Sequence, residues 1–246
     1  MPHNAKVYIS LVSAAGLAAM SYAFLHSQRP HDLVRLGIYV LLSLLAAALK
    51  LRLPGLTGTM SIGFVLVLLG ISELTLPEAM IMACVGVIVQ CLWRAKQRPQ
   101  AVQVVFSMAA VAISVVLAYQ CTQLIRSRWH TESVSVLMPV ATCLYFVTNS
   151  LLVAGVLARI QGASLRTVWE RCYLLSFPYY LLGGAVAGLV AASSRELGWE
   201  LPLLILPVMG LAFMFCRILF VRLAQEPAAA TVTESCSLYE VAARRA

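Results

Sequence analysis

Apolar runs recur along the whole chain, and short polar or charged connections separate them. Eight can be marked: Val7–Leu25, Leu33–Leu49, Met60–Ile71 with small residues upstream, Pro77–Leu92, Ala101–Leu124, Val134–Leu157, Cys172–Ala192 and Leu201–Phe220. A helix needs roughly 20 apolar residues to cross a hydrocarbon core of about 30 Å, and most of the runs approach that length. The pattern predicts an all-α polytopic transmembrane helical bundle of about eight spans over residues 1–224. A polar tail over 225–246 follows, where Pro227 ends any helix that leaves the last span. Once the runs are marked, no soluble domain remains.

The stretch Leu53–Pro99 organises the rest. Its two apolar runs enclose an acidic turn with Glu73 and Glu78, and a basic cluster with Arg94, Lys96 and Arg98 follows them. Opposite charges at the two ends of paired runs describe a helical hairpin and give its direction. With eight spans the connections alternate sides. Thirteen of the 18 Lys and Arg then fall on the side of the N-terminus, among them Lys6, Lys50, Arg52, Arg159, Arg166, Arg171, Arg217 and Arg222. The other five are Arg29, Arg35, Arg126, Arg128 and Arg195. Basic residues collect in cytoplasmic loops, so both termini are expected in the cytoplasm. The basic start of the first run is read as an uncleaved anchor rather than a signal peptide, because apolar runs continue after it.

Composition agrees with this reading. Of 246 residues, 61% are hydrophobic and 11% charged, whereas a soluble domain carries about a quarter charged. A net charge of +8 would suggest nucleic acid in a soluble protein. Here the cations occupy short loops, so the expected partner is the lipid bilayer and not nucleic acid. The seven cysteines form no CxxC pair and read as small buried hydrophobes. Neither a disulfide framework nor a zinc site is indicated.

Small residues mark helix contacts. Gly55, Thr59 and Gly63 are spaced by four, and Gly184 and Gly188 form GxxxG inside an apolar run. Such positions let backbones approach closely in lipid, either within one chain or across a homodimer. Pro178, Pro202 and Pro207 invite kinks, and Pro54-Gly55 suggests that the third run begins irregularly. Thr167-Val-Trp-Glu170 fits a capping box, and the short helix it opens should lie at the interface. Polar residues at membrane depth supply a candidate ligand pocket: Thr57, Thr59, Ser61, Gln90, Gln103, Tyr145, Asn149 and Tyr179. Apolar walls with a few placed polar groups characterise such sites. Hydrogen bonding between helices is the plainer account of the same residues.

Absences narrow the chemistry. No Asp, Glu or Lys lies mid-span, although proton relays and ion-coupled pumps need such groups. Lys6, Lys50 and Lys96 sit in connections, so no mid-helix lysine is available for a retinal Schiff base. His3, His26, His31 and His130 lie outside the spans, which removes a haem held between helices. HExxH and Ser–His pairings within spans are absent, and with them the obvious intramembrane protease chemistries. His26, His31 and His130 share the outer side and could gather a metal, but no metal or other cofactor is expected. The chain reads as non-enzymatic.

Three phrases carry a resemblance: LPGLTGTMSIGFVLVLLGISELTLPE, VQCLWRAKQRPQAVQVVF and SFPYYLLGGAVAGLV. Over roughly Leu36 to Arg222 the chain resembles an N-terminal multispanning membrane module of bacterial signalling proteins, common in acidobacteria. There it precedes a diguanylate cyclase (GGDEF) or HD-type phosphohydrolase output domain. The resemblance implies a sensory or anchoring role in the bacterial inner membrane, with no ligand residues to carry over. Here no GGDEF run or HD pair follows Arg222. A stand-alone sensor working through a cytoplasmic signalling partner and a truncated relative both stay open. The alternative is a small-molecule transporter, or the substrate-binding membrane subunit of one.

Overall fold

The computed structural model describes residues 2–26, 32–48, 50–52, 59–61, 63–93 and 100–197. Its elements are α1 (His3–Leu25), α2 (Leu33–Ala48), two short strands β1 (Lys50–Arg52) and β2 (Thr59–Ser61), α3 (Gly63–Glu73), α4 (Leu76–Leu92), α5 (Ala101–Trp129), α6 (Val134–Gln161), α7 (Leu165–Cys172), a 3₁₀ turn (Leu174–Ser176) and α8 (Phe177–Leu197). The class is all-helical, as the hydropathy pattern predicts. Four of the described helices, α1, α5, α6 and α8 through Ser194, are long and apolar enough to cross a membrane. Helices α2, α3 and α4 are apolar but shorter. The expected run Leu201–Phe220, the tail, Thr57, Pro54-Gly55, Pro202 and Pro207 lie outside the described residues.

The expected third span is divided. Its first residues pair as β2 with β1, antiparallel, Lys50 opposite Ser61 and Arg52 opposite Thr59. Helix α3 then covers 11 residues, about 16 Å at 1.5 Å per residue, or half a hydrocarbon core. Phe64 through Ile71 are all buried. A helix that is apolar all round belongs inside a bundle, and α3 packs against α2, α4, α5, α6 and α8. Elsewhere α1 packs on α5, α2 on α4, α5 on α4 and α6, and α6 on α8. Outward-facing positions such as Leu11, Leu17, Leu41, Leu117, Leu182 and Leu189 are exposed and apolar. Exposed apolar faces of that extent suit lipid rather than water.

Side-chain contacts fix how the helices thread. Near the end of α1, the Tyr22 hydroxyl accepts from Gln120 Nε2 of α5 at 3.0 Å. At the opposite end of the bundle, Tyr8 OH donates to the Leu152 carbonyl at 3.2 Å, and the Arg159 guanidinium lies 4.0 Å from the Tyr8 ring centroid. Glu73, at the end of α3, meets the start of α2 and the end of α8. Helices α1 and α5 therefore run parallel, α6 runs against α1, and α8 runs against α6.

Helix ends follow local chemistry. At the α3–α4 turn, Glu78 accepts from Thr75 N at 2.9 Å and from Thr75 Oγ1 at 2.7 Å. This caps α4 and puts a carboxylate at its positive end. Gly162, at φ 67°, closes α6 in the left-handed conformation that glycine tolerates. Pro178 is the second residue of α8, where a missing N–H costs nothing, and the structure shows no need for a kink there. The cap expected at Thr167 sits three residues earlier: the Ser164 hydroxyl accepts from Thr167 N at 3.2 Å. Glu170 pairs with Arg166 at 2.7 Å instead of capping, because four residues on a helix bring opposite charges together.

The GxxxG residues are used within the chain. A Cβ on Gly184 would overlap Thr142 of α6, and one on Gly188 would stand 3.3 Å from Met138 Cγ. A leucine at Gly184 should therefore overpack this contact and lower stability by about 1–3 kcal/mol. Gly37 has nothing within 4 Å of its would-be Cβ, so Gly37→Ala should be neutral or stabilise by up to about 1 kcal/mol. Thermal unfolding of both variants in detergent checks this. Equal midpoints would refute the packing assigned to α6 and α8.

Candidate functional site

The most unusual chemistry in the bundle is a carboxylate at the end of α3. The Glu73 side chain is 8% exposed. One of its oxygens accepts from Arg35 Nη2 at 2.7 Å and from Tyr39 OH at 2.6 Å, both on α2. The other accepts from Ser194 Oγ on α8. Arg35 and Tyr39 are one helical turn apart, so both reach the same point. The Arg35 guanidinium also lies 5.8 Å from the Tyr39 ring centroid, within cation–π range. Three donors from two helices thus converge on the terminus of a third.

Physics demands this arrangement. A carboxylate removed from water without partners is costly, and charge-assisted hydrogen bonds are the strong kind that compensate. Net stabilisation from buried pairs is small because desolvation offsets attraction. Removing one partner is nevertheless expensive, since the other charge is left stranded. The group therefore acts as a clamp that sets the relative position of α2, α3 and α8.

The other end of α3 meets an aromatic cluster. The Phe64 ring lies 4.3 Å from that of Tyr180 and 5.3 Å from that of Tyr179. Tyr145 lies 6.4 Å from Tyr180, and the Asn149 amide lies near the Tyr180 hydroxyl. A Cβ on Gly183 would overlap the Phe64 ring, so glycine allows α8 to come this close. Phe146, 4.9 Å from the Tyr180 ring and 6.5 Å from that of Trp169, continues the cluster to α7, where Trp169 Nε1 donates to Ser150 Oγ at 2.9 Å.

Three of the pocket residues expected from sequence, Tyr145, Asn149 and Tyr179, meet in this aromatic cluster. Gln103 does not: it lies in the first turn of α5, where its Oε1 accepts from Gln100 N at 3.1 Å and caps the helix. Gln90 sits half-buried near the end of α4. Thr59 and Ser61 are on β2, and Gly63 opens α3. Among the described residues no three His, Cys, Asp or Glu gather as a metal site. The His26 ring stacks 4.4 Å from Tyr22, and His130 caps α5 at φ 45°.

Sequence reasoning missed the clamp because it placed Glu73 in a connecting turn and counted Arg35, at the start of the second run, with the cations of a connection. Two signals were available. Arg35 and Tyr39 are spaced by four, and Glu73 ends an uninterrupted apolar run assigned to the same side as Arg35.

A third feature adjoins the clamp. Between α3, α5 and α6 lies a cleft lined by Leu68, Ile71 and Ser72, by Thr122 and Arg126, and by Val134, Leu137, Met138 and Ala141. Arg126 reaches Glu132 Oε2 at 3.2 Å through Nε and Gln123 Oε1 at 3.4 Å through Nη1.

Arg35→Leu should strand Glu73 and cost about 3–5 kcal/mol of stability. The double variant Arg35→Leu/Glu73→Leu should recover a large part of that loss, because no charge is left to desolvate. Tyr39→Phe, which keeps the ring, should cost about 1 kcal/mol. Unfolding in bicelles checks all three, and an Arg35→Leu loss that the second substitution leaves unchanged would contradict the clamp.

No family model, curated protein or solved structure matches this chain.

Proposed function

We propose that the chain is a non-enzymatic sensory or anchoring domain of bacterial signal transduction. It is embedded in the inner membrane by about eight spans with both termini in the cytoplasm. The resemblance of its central phrases to signalling input modules motivates the reading. The structural observation that supports it best is the double attachment of α3 to α8. Phe64 packs into the space over Gly183 at one end, and Glu73 accepts from Ser194 at the other. A stimulus that moves α3 therefore moves α8 with it. Helix α8 leads into the C-terminal part of the chain, through which a cytoplasmic partner would read the change. Such a ligand needs a different affinity for the two arrangements, since only that difference shifts their populations.

A second reading is a carrier, or the substrate-binding subunit of one. The half-length α3 favours it, because discontinuous helices line substrate sites at the midplane of many transporters.

A cyclase reporter fused after residue 222 separates the two. Its output should change when lipid composition or chain length is varied, and Ser194→Ala should alter that response while leaving the amount of protein in the membrane unchanged. An output that never varies, together with substrate uptake into vesicles, would replace sensing by transport.

A further inference from the structure

We propose that the end of the bundle where α1 begins and α6 ends holds an anionic phospholipid, its phosphate on Arg159 and its chains against the outer faces of the two helices. The proposal rests on the membrane reading of the chain and not on signalling. Arg159 carries it. Its guanidinium is turned back along α6, donating from Nη1 to the Gly155 carbonyl at 2.9 Å, and lies 4.0 Å from the Tyr8 ring centroid. Side chains on a helix lean toward its N-terminus, so a cation in the last turn of α6 is drawn below the helix end. Tyr8 is fixed in turn. Its hydroxyl donates to the Leu152 carbonyl at 3.2 Å and sits over Gly155, where a Cβ would overlap it. The guanidinium is therefore held in one place at the seam between two helices.

What Arg159 lacks is a counter-charge. Among the described residues, Arg35, Arg126 and Arg166 each reach a carboxylate, whereas Arg159 meets only a carbonyl and a ring. Both are neutral, and a guanidinium has five N–H donors, so most of them are left for an anion. Arg159 is exposed, and so is Lys6 in the opening turn of α1, where no acidic residue stands. Deeper along the same seam, Leu11 of α1 is 65% exposed and Leu151 of α6 is 36% exposed. A phosphate at Arg159 thus has apolar surface directly beneath it, the order in which a phospholipid presents headgroup and chains. Basic positions between helices near the membrane surface suit such headgroups, and phosphate takes the paired N–H groups of guanidinium. A soluble anion would leave the apolar faces uncovered. A zwitterionic lipid brings its own cation to the phosphate and gains less from Arg159.

The test uses the full chain in phosphatidylcholine nanodiscs doped with phosphatidylglycerol that carries a diazirine on one acyl chain. Labelling should concentrate on peptides containing Leu11 and Leu151. Unlabelled phosphatidylglycerol should displace the label about fivefold better than added phosphatidylcholine, the gain expected of one cation near the surface. Glycerol phosphate in the buffer should not compete. Arg159→Gln should abolish the preference between the two lipids, and Arg159→Lys, which keeps the charge but not the paired geometry, should retain part of it. Arg128→Gln, near the end of α5 and so at the opposite end of the bundle, should change nothing. Equal displacement by the two lipids from the unsubstituted chain would overturn the site, whatever the variants do. So would label spread over the outer faces of α1 and α5, displacement by glycerol phosphate, or a loss in Arg128→Gln as large as in Arg159→Gln. Protein that never enters the nanodiscs would overturn the membrane reading as well, whereas protein that enters them without a lipid preference defeats this site alone.

Discussion

A carboxylate in an apolar bundle is tolerated only where donors surround it, and the structure is arranged to supply them at Glu73. Arg35 and Tyr39 come from one helix and Ser194 from another. Their common target ends the one described helix whose apolar residues are buried on every side. In lipid, helices gain no hydrophobic advantage by associating, since the surrounding tails are as apolar as their own side chains. Relative position must then come from close packing and from a few polar contacts. Glycines provide the first at Gly183, Gly184 and Gly188, and Glu73 provides the second.

These two devices explain why α3 can be short. Eleven residues cannot cross a bilayer, and a half-length helix leaves backbone groups at membrane depth. Irregular backbone there is accepted only inside protein. Just before α3 the backbones of β1 and β2 pair with each other. At the far end the chain turns within two residues and Glu78 caps α4. Each end of α3 is thereby closed, and its flanks are covered by five helices. Helix α3 meets α8 at both ends and α2 at one.

Much of the architecture was legible in the sequence because lipid imposes a simple rule on helix length and polarity. The apolar runs at Val7, Ala101, Val134 and Cys172 appear as α1, α5, α6 and α8 with boundaries displaced by a few residues. The GxxxG residues pack as the pattern predicts, here inside the chain. What the pattern did not reveal was the division of the third run, since the strands Lys50–Arg52 and Thr59–Ser61 are three residues each, too short for an alternating pattern to stand out beside the apolar run that follows. The candidate site was less legible. Tyr145 and Asn149 share a face of α6 because they are spaced by four, whereas the approach of Tyr179 depends on how α8 packs, which spacing does not give. Glu73 escaped because a charge at the end of an apolar run looks the same whether it faces water or bends inward to an arginine on another helix.

The central claim is that α3 is covered on all sides, and its accessibility to lipid tests this most directly. Single cysteines at Val65, Leu66, Val67 and Leu68, spin-labelled in bilayers, report collisions with oxygen dissolved in the hydrocarbon. The account predicts uniformly low accessibility at all four positions, which together cover a full turn. Leu11 and Leu17 on α1 should read high. A periodic signal along α3, with one position as accessible as those on α1, would show a lipid-facing helix and contradict it.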